Sequence, residues 1–310
     1  MYSDLLSKLF RASRRVSPEP SGGRKPMAKR RAKRRPRWPL RLLLLAVLAT
    51  LFLWWSNSSL QTTRFDPVFS RLPAGFDGCR IMVLSDLHGA EFGQHNEKLF
   101  AAAAAEQPEY IFVVGDLIDE ETPDPLAYAA NLAAGLQSVA PVYYVTGNHE
   151  WATGGVPALK ETLSSAGWTV LSNQYLLLER NGDSLVLAGI DDPNGYADQK
   201  TPEELAAEVY SAHGNPFWLL LAHRNDLFSS RYSLLGADLV LSGHGHGGII
   251  RLPFTDGLLG TQHNFFPTHT AGFYEKSGSA LFVSRGLGNV GITFRLFNRP
   301  EVAILTLHKG

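Results

Sequence analysis

Seven residues of this sequence have side chains that bind hard or borderline metal ions, and each follows or ends a short apolar run. Asp86 and His88 come after residues 81–84, Asp116 after 111–114, Asn148 after 142–146, and His244 and His246 after 239–241; His223 closes the run 218–222. The set offers two carboxylates, one amide oxygen and four imidazoles. If one carboxylate bridges, as the two oxygens of Asp116 could, seven ligands make eight bonds. That is enough for two divalent cations with positions left open for solvent and substrate. Oxygen and nitrogen ligands without thiolate suit Mn, Fe, Zn or Co.

Residues so far apart in sequence must be gathered by the fold. Ligands collect at the carboxyl ends of strands in an open α/β sheet, so five strand ends bearing Asp, Asn and His predict one shared site. Strands and helices alternate from Arg80 to Ala166: strands at 80–84, 110–114 and 142–146, helices near 96–106, 126–139 and 157–166. That alternation predicts parallel strands with crossover helices. Shorter strands follow at 168–171, 175–180 and 185–190, with Asn181-Gly182 as a hairpin turn. A second sheet begins with these, and a helix at 202–211 capped by Thr201 and strands at 218–222, 239–241, 280–284 and 302–308 follow. The expected fold is a four-layer α/β sandwich, two mixed sheets flanked by helices. Alternation along an extended segment would put Asp86 and His88 on one face. Gly115, Gly147, Gly243 and Gly245 would let the chain turn sharply and leave room for a bulky anion. The alanine run 101–105 predicts close helix packing.

The net charge of +0 hides two opposite halves. Residues 1–41 hold fourteen Lys and Arg against Asp4 and Glu19, so the remainder is acidic by the same margin. The basic stretch directly precedes residues 42–55, apolar except for Thr50, which argues for a membrane and against nucleic acid as its partner. Residues 38–60 as a helix would rise about 35 Å, enough for a bilayer core of about 30 Å, with Trp38, Trp54 and Trp55 at belt positions. The expected organisation is a disordered basic cytoplasmic tail (1–37), a single-pass transmembrane anchor (38–60), a linker (61–78) and an extracytoplasmic catalytic domain (79–310). A cleaved signal would end near Ser56 or Ser58; the long basic region and the tryptophan pair favour an uncleaved anchor. A start at Met27 would leave this topology unchanged. Cys79 is alone, cannot form an internal disulfide, and reads as a small hydrophobe opening a strand.

The ordered blocks resemble the calcineurin-like metallophosphoesterases: Asp86-x-His88, Gly115-Asp116, Gly147-Asn148-His149-Glu150, a lone His223, and Gly243-His244-x-His246. The likeness covers about 80–308, and residues 283–288 with Arg299-Pro300-Glu301 resemble the membrane-associated bacterial phosphodiesterase branch. The resemblance implies one metal on Asp86, His88 and His246, a second on Asn148, His223 and His244, and Asp116 between them. It makes His149 the non-ligand histidine beside the substrate, placed to protonate a leaving oxygen or clamp the phosphoryl group. The implied reaction is phosphodiester hydrolysis by a metal-bridging hydroxide, with cations about 3.5–4 Å apart supporting in-line displacement. A tethered enzyme points to a lipid-linked or cell-envelope phosphodiester. The alternative is an inert scaffold of the same fold. Arg224-Asn225-Asp226 departs from the proline-containing turn that relatives often carry after the lone histidine.

Other polar residues have plainer readings. Glu150 is expected to orient an imidazole, Asn96 near His95 to cap a helix, and His213 and His308 to sit in a turn and at a strand end. Asp119, Asp191 and Asp192 read as solvated turn acids. The segment 261–266 could line the cleft, dip toward lipid or pack as a surface loop. Residues 243–248 lack the Lys-Ser/Thr of a P-loop, and 244–249 lack the His-x-His-x-Asp-His of metallo-β-lactamases.

Overall fold

Runs of Val, Leu, Ile, Phe and Tyr become strands here because both of their faces are covered. The computed structural model describes residues 37–252, 256–260, 264–289 and 294–310; the expected tail, apart from Arg37, lies outside the described residues. In chain order the elements are α1 (Trp38–Ser58), β1 (Gln61–Phe65), β2 (Val68–Phe69), β3 (Cys79–Leu84), α2 (Glu97–Glu106), β4 (Tyr110–Val114), α3 (Pro125–Gln137), β5 (Val142–Val145), α4 (Asn148–Thr153) and α5 (Val156–Ser165). There follow β6 (Thr169–Val170), β7 (Gln174–Arg180), β8 (Asp183–Gly189), α6 (Pro202–His213), β9 (Trp218–Arg224), β10 (Leu239–Gly243), β11 (Ile250–Arg251), β12 (Gly257–Leu259), β13 (Gly272–Lys276), β14 (Ser279–Val283) and β15 (Glu301–Lys309).

One sheet runs β1-β15-β3-β4-β5-β6, with β2 also on β15, and the other runs β13-β14-β10-β9-β8-β7. Strands β3 to β6 are mutually parallel, as are β14, β10, β9 and β8, so the carboxyl ends within each set point one way. Alternation sorts the side chains into layers. Ile81 and Val83 of β3 join Phe112, Val114, Leu219, Leu221 and Leu241 between the sheets. Met82 and Leu84 face the other way, against Leu99, Leu132, Leu136 and Leu159 of the helices. Behind the second sheet, Ala188, Leu220 and Val240 meet Leu205 and Val209 of α6. Helix, sheet, sheet and helix make the four-layer sandwich the sequence predicts. Truncating one middle-layer leucine, such as Leu221, to alanine would cost about 2–5 kcal/mol.

The segment 61–78 departs from its reading as a linker. β1 pairs in parallel with β15 from Gln61↔Glu301 to Phe65↔Leu305, β2 pairs with the end of β15, and Leu72 and Phe76 are fully buried. Its prolines and glycines mark turns beside edge strands, where such residues are tolerated. The alanine run also differs: Ala103 is buried, while Ala101, Ala104 and Ala105 are exposed, so the run owes its helix to propensity as much as packing. Asn181 and Gly182 do close the β7–β8 hairpin, both at positive φ. Thr201 caps α6 in a reciprocal box with Glu204. Asn96 precedes α2 but accepts from the Phe92 N–H and does not cap the helix. The 21-residue helix α1 contains an 18-residue stretch of mean hydropathy 1.8 and is long and apolar enough to cross a membrane.

Candidate metal centre

The carboxyl ends of β3, β4 and β5 in one sheet and of β9 and β10 in the other converge. Asp86, His88, Asp116 and His246 each place one ligand atom within 4.8 Å of the others, and Asp116, His223 and His244 do the same. Asp116 belongs to both groups: its Oδ2 lies 3.0 Å from His223 Nε2 and 3.7 Å from His88 Nε2. His246 Nε2 stands 3.2 Å from His88 Nε2 and 3.5 Å from Asp86 Oδ1. Asn148 is the first residue of α4, directly after Gly147.

The donor atoms fit bound cations. Asn148 Oδ1 and His244 Nε2 are buried without a hydrogen-bond partner, an arrangement that costs about 1–3 kcal/mol per atom unless something else satisfies it. His223 Nδ1 lies 2.8 Å from the carbonyl of Val114. Donating there fixes the ring and turns Nε2 inward toward Asp116, where a cation would displace its proton. Burial, followed by the charge on His223, pushes His244 down to about 4 in the metal-free chain, and burial pushes His246 down to about 3. Both rings are therefore neutral and able to ligate. Burial opposes the charge on Asp116, yet His223 holds its carboxyl far below the usual range. Burial likewise opposes protonation of His223, but Asp116 lifts it to about 10.

Strand alternation is not what brings Asp86 and His88 together. β3 ends at Leu84, and Asp86, His88, Asp116, His244 and His246 all have φ between 45° and 65°. Left-handed backbone at non-glycine residues costs about 1–3 kcal/mol each and persists where the surroundings dictate it. Here the Asp86 N–H donates to Gly115 O and the His88 N–H to Asp116 O, both at 3.0 Å, stitching the two strand ends together. The carboxylates are aimed from the backbone: His149 N donates to Asp116 Oδ1 at 2.9 Å and His244 N to Asp86 Oδ1 at 2.9 Å.

The glycines act differently from the expected space for an anion. A Cβ on Gly147 would stand 2.2 Å from Asp116 Oδ1, and one on Gly115, at φ +85°, would stand 2.7 Å from His223 Nδ1. They permit ligand-bearing segments to touch. Glu150 also departs from its expected role. Fully buried, it orients no imidazole and accepts the N–H groups of Gly147 at 2.7 Å, Asp116 at 3.1 Å and Leu117, clamping the ends of β4 and β5. Burial and then the Asp116 charge raise its carboxyl to about 7.

Several neighbours of the site escape sequence reasoning. Asp119, Asp191 and Asp192 are buried, not solvated. Asp119 Oδ2 lies 3.3 Å from His88 Nδ1 and its other oxygen accepts the Thr122 hydroxyl. Asp192 pairs with Arg224 at 2.8 Å, which fixes the departure loop while leaving His223 in β9. His149 Nδ1 meets Glu120 at 3.0 Å, and its ring stands edge-on to His88. Arg295, a fully buried guanidinium held by the carbonyls of Arg285 and Gly288, sits 3.4 Å from His246 Nδ1. The Asp119-x-x-Thr122 spacing is a turn signal that could have been found; Arg295 has no local signal. Of the segment 261–266, Thr261, Gln262 and His263 lie outside the described residues. Asn264 lines a cavity with His244, Asn225 and Thr270.

Residues 79–248 match the family model for the calcineurin-like phosphoesterases. The chain is 28% identical over 258 residues to the metallophosphoesterase YkuE of Bacillus subtilis, covering 80% of this chain and 85% of that one. It is 30% identical over 269 residues to the metallophosphoesterase Cj0846 of Campylobacter jejuni, covering 86% and 69%. It is 29% identical over 281 residues to a transmembrane protein with a metallophosphoesterase domain from Danio rerio, spanning 62% of that protein's length. The ordered blocks, the two-sheet fold and these matches agree, and the chain belongs to the calcineurin-like phosphoesterase family.

Proposed function

We propose that the chain is a membrane-anchored, binuclear-metal phosphoesterase that hydrolyses phosphodiester bonds. The observation that carries this reading is the position of Asp116, one carboxylate shared by two groups of ligand atoms. Asp86, His88 and His246 would hold one cation, and Asn148, His223 and His244 the other. Bound there, two divalent transition metals would supply Lewis-acid activation of water and stabilisation of charge on the phosphoryl oxygens. The protein's own contribution is positional. Glu150 fixes the backbone under Asp116, Val114 O fixes the ring of His223, and Asp119 braces His88 from behind. His149 hydrogen-bonds through Nδ1 to Glu120, which leaves Nε2 to serve the leaving oxygen.

The basic residues before α1 orient the anchor with its amino end in the cytoplasm and the catalytic domain outside. A lipid-linked or envelope phosphodiester is the substrate class this placement favours. Purified full-length chain in detergent is expected to carry two transition-metal ions and to hydrolyse an aryl phosphodiester, and chelation should abolish turnover until metal is restored. A chain that binds metal but turns over no phosphate ester would defeat the enzymatic reading and leave an inert scaffold. Cleavage of the domain by protease added to intact cells checks the orientation; protection there would reverse it.

A further inference from the structure

We propose that a phenylalanine-bearing rim beside the metal centre lies in the lipid headgroup region, so that the site takes an amphiphilic phosphoester directly from the bilayer. Among the described residues every exposed phenylalanine is on this rim: Phe265, Phe266, Phe294 and Phe297. The first two are 72% exposed, an unfavourable display of apolar rings to water unless something covers them. The small β11–β12 sheet carries them, since Leu296 bridges Ile250 on one side and Phe265 bridges Leu259 on the other.

The occupant follows from continuity with α1. Phe297 packs on Phe52 with ring centroids 5.3 Å apart, and Arg299 lies over Trp55 at 4.6 Å. Ser56 Oγ donates to Arg295 O, and Arg295 N donates to Asn57 Oδ1 at 2.7 Å. The rim is thus pinned to the last turns of the helix, where a tryptophan pair and an arginine mark the boundary between hydrocarbon and water. Interfacial apolar rings next to such a boundary gain by entering lipid. The same rim reaches the chemistry: Asn264 and Pro267, which flank Phe265 and Phe266, line the cavity that His244 faces. A lipid headgroup phosphate would arrive there with its acyl chains on the aromatic side.

The inference rests on the anchored phosphoesterase reading, and the test separates the two. Full-length chain carrying Phe266→Cys, labelled with an environment-sensitive fluorophore, is reconstituted in phosphatidylethanolamine/phosphatidylglycerol vesicles; Ser184→Cys, exposed on the β7–β8 hairpin, is the control. The label at 266 is expected to shift to the blue and to be quenched by brominated lipid, the control to do neither. Equal behaviour at both sites overturns the proposal, and so does a blue shift at 266 that brominated lipid does not quench, which indicates a second copy of the chain as the cover. Phe265→Ser/Phe266→Ser is expected to slow hydrolysis of a vesicle-embedded lipid phosphodiester about tenfold, with turnover of a soluble aryl phosphodiester unchanged. Equal losses on both substrates overturn the proposal. A wild type inactive on both substrates defeats the enzymatic reading, while depth-dependent quenching still decides where the rim sits.

Discussion

At the amino ends of the strands, charged groups are paired off against each other: Arg180 with Glu109 at 2.6 Å, and Arg71 with Asp238 at 2.8 Å. The Cys79 thiol is buried there at the start of β3, and burial together with Glu109 pushes it up to about 12. At the carboxyl ends of the same strands, carboxylates and imidazoles crowd together, lone pairs face one another unmet, and the backbone is left-handed at five of the proposed ligands. One end is arranged for stability. The other spends stability on a site, and the close-packed layers between the sheets hold it in place. Substitutions at the two ends should therefore separate activity from folding.

The largest expected effect is at Asp116. Asp116→Asn keeps an oxygen for the His149 N–H but replaces Oδ2, the atom nearest His223 and His88, by a donor. Both metals should leave together and diester turnover should fall about 10³-fold or more, while far-UV circular dichroism stays native. Retention of one metal at full occupancy would break the shared-carboxylate reading. His149→Ala comes next, with metals retained and turnover reduced about 10²- to 10⁴-fold on a substrate with a poor leaving group. The loss should be much smaller on an activated aryl phosphodiester; equal losses would assign His149 to clamping the phosphoryl group. Asp119→Asn, which touches His88 from the far side, should weaken metal affinity about 10- to 100-fold in chelator competition with the fold intact.

This contrast also explains what could be read from sequence. The six Asp and His candidates that the fold gathers stood out because rare polar types recur at the ends of apolar runs, and the layers were legible because alternating apolar residues leave few ways to bury both sheet faces. The supports were not. Arg295 reaches His246 across 49 residues, and Glu150 works through backbone N–H groups that no residue pattern reports. Asp119 and Glu120 resemble ordinary turn acids until the fold sets them beside His88 and His149. Strand β1 was missed because Gln61, Thr62, Thr63 and Arg64 are too polar to announce an edge strand, whose outer side needs no apolar cover, and β2 because its two residues, Val68 and Phe69, are too few to show a pattern. The left-handed turns at Asp86 and His88 are set by tertiary hydrogen bonds to Gly115 and Asp116, beyond any local signal.

The smallest expected effect lies at the opposite end of the strands, and its sign is informative. Asp238 accepts the Trp218 N–H at 2.9 Å and pairs with the half-exposed Arg71, which favours its charged form, but burial outweighs both and raises its carboxyl above the usual value. A group whose folded value is raised contributes most when protonated. Its contribution is complete below the unfolded carboxylate range and is lost as pH rises through the folded value. Asp238→Asn keeps an oxygen for Trp218 and carries no charge at any pH. Urea unfolding of both proteins with chelator in detergent should show the stability difference moving in favour of the variant between pH 4 and pH 7, by no more than about 1 kcal/mol because the Arg71 partner is solvated. A difference moving the other way would mean that the ion pair outweighs burial. Asp116 and Asp119 have the opposite sign, since their carboxyls are held low and their stabilisation disappears on acidification. Acid below the ordinary carboxylate range should therefore loosen the ligand-bearing end of the strands while leaving the Asp238 end intact, and hydrogen exchange compared at about pH 5 and about pH 3 would resolve the two ends directly.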